Sequence, residues 1–194
     1  MPHTFYDHIT PEIERQLADP SDANIEAKIA KVISHTEENT EDPETVYAAG
    51  IGWYFLGEYE KCMLAEEQCY PLFDDEMGIA AIFWHTLAAW RAGKRPSLLE
   101  ENYRHGMLVG HHKSYNRIMA IAIGSVSEES AFLMYKHMIS PLDKTIYGYG
   151  FSCWLSHIGK KDDALRILRE IASDRSFWIA YAYLAAYLDE NRKV

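Results

Sequence analysis

The chain has little that would tie it to a membrane, the cell exterior or a β-sheet. No apolar run in its 194 residues reaches the roughly 18 residues a membrane span needs, so no membrane partner is expected. The opening residues, Met1 to Asp7, lack the succession of basic, apolar and small residues that marks a secretory leader. Cysteine is scarce, with only Cys62, Cys69 and Cys153. The first two lie on one predicted helix, roughly 10 Å apart along its axis, beyond the reach of a disulfide. All three read as reduced thiols, as in a cytoplasmic protein. β-Branched runs are short and no Asn-Gly or Asp-Gly pair occurs, which removes the usual hairpin signals. Positive charge is also short: 19 Lys and Arg face 29 Asp and Glu, for a net −10. Residues 1–76 hold 18 of those acids and 4 of those bases, which suits no phosphate backbone, so no nucleic-acid partner is expected.

What remains is an ordinary folded composition, 48% hydrophobic and 25% charged, enough for one compact domain or a short solenoid. Helix signals dominate. Thr10-Pro11 pairs a cap with proline at the first helical position and predicts a helix to about Ala18. Ile25, Ile29, Val32 and Ile33 form a stripe at helical spacing. Asp42-Pro43 repeats the cap–proline signal before a helix to Leu56. Further helices are expected over 58–70, 77–92, 97–109, 112–124, 128–139, 143–158, 161–172 and 177–191. Ser97 with Glu100 and Ser125 with Glu128 fit capping boxes, and Asp143 reads as the next cap.

Glycine punctuates this series. Gly57, Gly93 and Gly159 each end one helix before another begins, at spacings of 36 and 66 residues. A period near 34 belongs to arrays of paired helices. The unit between Gly93 and Gly159 reads as having lost its turn glycine. The clearest unit, Pro43 to Glu76, carries Gly50 and Trp53 on its first helix and Gly57-x-Tyr59 at its turn, with Cys62 where a small alanine is usual. Gly159, Lys161 and Ala164 repeat the pattern, with Leu168 and Ile171 continuing the apolar ridge. In these residues the chain resembles the tetratricopeptide repeat family over about 43–194. The resemblance implies an all-α, right-handed solenoid of about four helix–turn–helix hairpins. Residues 1–42 would cap its front and 177–191 its rear, in one continuous domain. A compact, non-repeating α-bundle is the alternative.

The resemblance also implies a function: an intracellular adaptor that binds a protein or peptide along the concave face of each hairpin's first helix, with no catalysis. Carried over by phase, that face holds Tyr47 and Tyr54 with Ile51 and Phe55, then Phe83, Trp90 and Arg91 with Leu87. Lys113 and Asn116 with Ala120 follow, and Tyr149 and His157 with Cys153 complete it. Arg91 and Lys113 would anchor an acidic group of the ligand. Aromatics and arginine are the types enriched at binding hot spots, although an aromatic stripe is more often core.

Chemical motifs are thin. His105, His111 and His112 cluster, but no His-Glu-x-x-His or paired Cys-x-x-Cys occurs, so neither metal nor cofactor is expected. Gly148-Tyr149-Gly150 lacks the lysine of a phosphate loop, and Gly-x-Ser-x-Gly is absent. Asp74-Asp75-Glu76 reads as a helix N-terminal turn. Cys153 and His157 share a helical face, a pairing that can lower a thiol pKa. Two further readings stay open: a small-ligand sensor or enzyme on a compact bundle, with its pocket near Trp90, Tyr149 and His157, and a scaffold that self-assembles through its uneven charge.

Overall fold

Capping chemistry sets most of the element boundaries. A computed structural model describes residues 11–192, and every regular element among them is helical. Residues 1–10 and 193–194, including the expected cap Thr10, lie outside the described residues. The helices are α1 (Pro11–Leu17), α2 (Asp22–Ser34), α3 (Pro43–Leu56), α4 (Tyr59–Cys69), α5 (Asp75–Ala92) and α6 (Ser97–Asn102). Then come α7 (Lys113–Ala122), α8 (Glu128–His137), α9 (Pro141–His157), α10 (Lys161–Ser173) and α11 (Tyr181–Asn191).

Asp42 accepts the Thr45 N–H at 2.9 Å, and Asp74 accepts that of Met77 at 3.0 Å. Each such cap contributes about 1 kcal/mol. Two expected caps give way to a neighbouring serine, and a third is absent. Ser140, not Asp143, caps α9, accepting the Asp143 N–H at 3.3 Å ahead of a proline at the first helical position. Ser127, not Ser125, caps α8. Ser97 caps nothing, and the helix expected to reach 109 stops at Asn102. The following loop is instead tied to the N-terminus of α5: Asp75 accepts the Leu108 N–H at 2.9 Å, and His112 Nδ1 meets the Glu76 carbonyl at 2.6 Å.

Four glycines, not three, turn the chain. Gly57, Gly93, Gly124 and Gly159 all adopt φ between +64° and +87°. After each, the next N–H reaches the carbonyl five residues back, as in Ser125 to Ala120 at 2.9 Å and Lys160 to Leu155 at 2.8 Å. This left-handed closure is open to glycine at no steric cost. The unit expected to lack a turn glycine has Gly124, and the spacings become 36, 31 and 35 residues.

Successive helices pack in order from α2 to α6, then α5 on α7, α7 on α9, α9 on α10 and α10 on α11. Two further contacts close the molecule. Helix α5 lies directly on α9, and α11 returns to α3. Arg175, just before α11, donates to the Pro20 carbonyl at 2.7 Å and to Asp22 at 2.6 Å, fastening the rear to the front. Helix α9 reaches the centre because it is bare at two points. A Cβ on Gly150 would stand 2.6 Å from Phe83 Cε2, and one on Gly148 2.7 Å from Tyr135 Cε2. Phe83, Trp84, Tyr147, Tyr149, Phe151 and Tyr183 are fully buried there. The space where α3, α5 and α9 meet is therefore filled by their own aromatics and by α11.

Candidate functional site

The residues expected along one groove fall into three places. Tyr47, Tyr54, Phe83 and Tyr149 are core, with Tyr54 3% and Tyr149 0% exposed. Phe83 packs on Tyr115 at 4.6 Å between ring centroids, and Tyr47 meets Phe73 edge-on at 6.1 Å. Ile51, Phe55 and Leu87 are buried with them. Lys113 and Asn116 sit beside the N-terminus of α5, where Asn116 accepts the Tyr103 hydroxyl at 3.0 Å. Arg91 lies at the other end of that helix, roughly 20 Å away along the axis. The two expected anchors cannot share one ligand group. Trp90, Arg91, Cys153 and His157 gather at the C-terminal ends of α5 and α9, where Trp90 stacks on exposed His157 at 5.0 Å.

At this end a chain of polar contacts runs from the core to the surface. Tyr54 and Tyr149 share a hydrogen bond at 2.9 Å, and the Tyr149 hydroxyl donates to Asp189 at 3.0 Å. Asp189, from α11, pairs with Arg91, whose guanidinium also points at Cys153 Sγ from 3.8 Å. Asp189 is 9% exposed on its side chain and Arg91 36%. Burial holds both phenols well above their usual range and so keeps them neutral donors. Burial also raises the Cys153 thiol, which Arg91 only partly opposes. The expected partner His157 is engaged with Trp90, so Cys153 is not set up as a nucleophile.

A cleft of about 500 Å³ opens over this network between α5, α9, α10 and α11. Arg91, Lys161 and Arg192 line it against a single carboxylate, Asp189. Ala164, Leu165 and Leu168 of α10 make an apolar wall, and Tyr59, Ser152 and Ser156 add hydroxyls. Arg192 is oriented by donating to the Phe55 carbonyl at the end of α3. Of these residues the sequence pointed to Arg91 and Cys153 alone. Asp189 and Arg192 read as the tail of a capping helix, and nothing local signals that α11 folds back onto Arg91.

A second polar cluster, unforeseen in the sequence, joins Ser97, Glu67 and buried His85. Ser97 Oγ donates to Glu67 at 2.9 Å, and both groups meet His85 Nε2, at 3.2 and 3.1 Å. Nδ1 of the same ring is buried without a partner. A catalytic relay needs one partner on each ring nitrogen, so this cluster cannot pass a proton from serine to carboxylate. Burial lowers the His85 pKa and keeps the ring neutral. The other histidines disperse: His105 meets Ser125, and His111 pairs with Glu76. Among the described residues no three His, Cys, Asp or Glu side chains are grouped to hold a metal ion, and no helix is long and apolar enough to cross a membrane. No family model, curated protein or solved structure matches the chain.

Proposed function

We propose that this chain is a protein- or peptide-binding module, an array of tetratricopeptide-like helix pairs closed on itself, without chemistry of its own. The right-handed superhelical sense and cytoplasmic location expected from the sequence belong to the same proposal. The observation that carries it is the cleft beside Arg91. In a chain of net charge −10, three cations meet one carboxylate there, next to an apolar wall on which Leu165 is exposed. Such a surface suits an acidic group carried by a partner with apolar neighbours. The docking place is thus the mouth between α5, α9, α10 and α11, instead of the filled aromatic face.

A photo-reactive residue at Leu165, 39% exposed on the wall, tests this directly. Crosslinking in cells is expected to yield a discrete adduct that the same residue at Leu64, 65% exposed on α4, does not give. Identical adducts from both positions, or none from Leu165, would remove the cleft from the model. A small-ligand site is the second reading. It is favoured by the cleft volume of about 500 Å³, which lies within the range usual for small-molecule pockets.

A further inference from the structure

We propose that the acidic group this cleft recognises is a phosphate monoester, carried on a serine or threonine side chain of a peptide partner with aliphatic neighbours. The inference rests on the docking reading above and adds the chemistry of the ligand. Charge is the first ground. Arg91, Lys161 and Arg192 against Asp189 leave an excess of two positive charges. A carboxylate carries one negative charge, whereas a phosphate monoester carries about 1.5 to 2 at neutral pH and offers three acceptor oxygens. The second ground is where those charges sit. Asp189 is 9% exposed and lies at the floor, engaged by Tyr149 and Arg91. Arg91 and Arg192 are 36% and 38% exposed, and Lys161 is exposed at the start of α10. An arriving ligand meets the cations, with the carboxylate behind them.

Pre-organisation is the third ground. Asp189 and the Cys153 thiol fix the Arg91 guanidinium, and the Phe55 carbonyl fixes that of Arg192. A guanidinium held in this way loses little rotamer freedom when it binds a phosphate in bidentate fashion. On α10, Lys161, Leu165 and Leu168 follow at helical steps along one face. Lys161 and Leu165 are thus roughly 6 Å apart along the axis, about two residues' separation in an extended peptide. A phosphorylated side chain at Lys161 brings the side chain two residues on, which shares its face of the extended peptide, over Leu165 and Leu168.

The test uses the full chain, labelled with ¹⁵N, and four probes: the peptide Leu-Ala-Ser-Ala-Leu phosphorylated on serine, the same peptide unphosphorylated, the Glu-for-Ser peptide, and inorganic phosphate. The phosphopeptide is expected to move the amide signals of Ser156, Lys161 and Leu168 saturably. Its Kd should be at least tenfold below that of the unphosphorylated peptide and several-fold below that of the Glu peptide. Inorganic phosphate should compete at higher concentration. Lys161→Gln, at an exposed position that folding does not need, is expected to weaken the phosphopeptide several-fold. Equal binding of the Glu and phosphorylated peptides would overturn the phosphate while leaving the cleft as a docking site. Failure of every probe to move the cleft signals would also overturn it, and the Leu165 crosslink would then decide the docking reading separately. An unchanged phosphopeptide affinity in Lys161→Gln would overturn it too.

Discussion

Two buried polar clusters answer the same difficulty in opposite ways. At one end of α5, Arg91 and Asp189 form a partnered ion pair: Tyr149 donates to Asp189, and Tyr54 donates to Tyr149 behind it. Between α3 and α4, Glu66 is fully buried with Oε1 unpartnered, beside Cys62 and Cys69. Its carboxyl occupies the space left by Gly50, where a Cβ would stand 2.5 Å from Oε1. Burial raises its pKa well above the usual carboxylate range, and Cys69 opposes this only through a weak hydrogen bond. A buried group either finds a counter-charge or gives up its charge. The first solution leaves cations facing solvent and available to a ligand; the second leaves nothing for a ligand to read.

Removing one partner from the paired cluster should have the largest effect. Asp189→Ala leaves Arg91 without its carboxylate and Tyr149 without its acceptor. A loss of about 2–3 kcal/mol is expected in urea unfolding, below the range for fully buried pairs because Arg91 is partly exposed to solvent. The double change Arg91→Gln with Asp189→Ala should cost less than the two single changes together; a cost equal to their sum would mean the pair is not coupled.

The neutral cluster should show itself through pH. Glu66 holds its proton in the folded state, while in the unfolded chain it ionises above the ordinary carboxylate range. Its contribution is complete below that range and is lost as pH rises through the folded value, at up to about 1.4 kcal/mol per pH unit. Unfolding measured from pH 4.5 upward should therefore show a decline that Glu66→Gln flattens. A wild-type profile with the same slope as the variant would refute a buried neutral acid.

Smaller effects separate the members of the paired chain. Tyr149→Phe should cost about 1 kcal/mol, since Asp189 loses a donor, and Tyr54→Phe less, because it lies one bond further from the charge. The reverse order would move the centre of the network inward. The smallest effect concerns thiols. Burial raises Cys62, Cys69 and Cys153 alike, so iodoacetamide should label all three slowly at neutral pH, with Cys153 the first to react because it lines the cleft. Rapid labelling of Cys153 would instead give it a reactive role.

The all-helical class was legible because caps and glycines act locally. Asp42-Pro43, Gly57, Gly93 and Gly159 mark their boundaries within a few residues. Gly124 escaped because it comes 31 residues after Gly93, out of step with a period of 34, although its turn has the same form. Periodicity marked Tyr54 and Phe83 as inward-facing, and both pack in the core, on Trp84 and Tyr115. What periodicity does not carry is whether that face stays open. That depends on α11, whose Ala182, Ala185 and Ala186 bring it close enough to be buried along one side. Arg91 was legible as a cation among aromatics. Its partner Asp189 stands 98 residues away, and no local rule links the two.

The return of α11 to α3 bears on how the chain assembles. In an open array each unit touches only its neighbours, so folding can start anywhere and ends fray singly. Here α11 packs back on α3, and Arg175 joins positions 155 residues apart in sequence. That contact forms only after a long loop has closed, late on the folding path. The chain is thereby committed to rise and fall as one cooperative unit, and shortening it by its final helix would unmake the whole instead of trimming an edge.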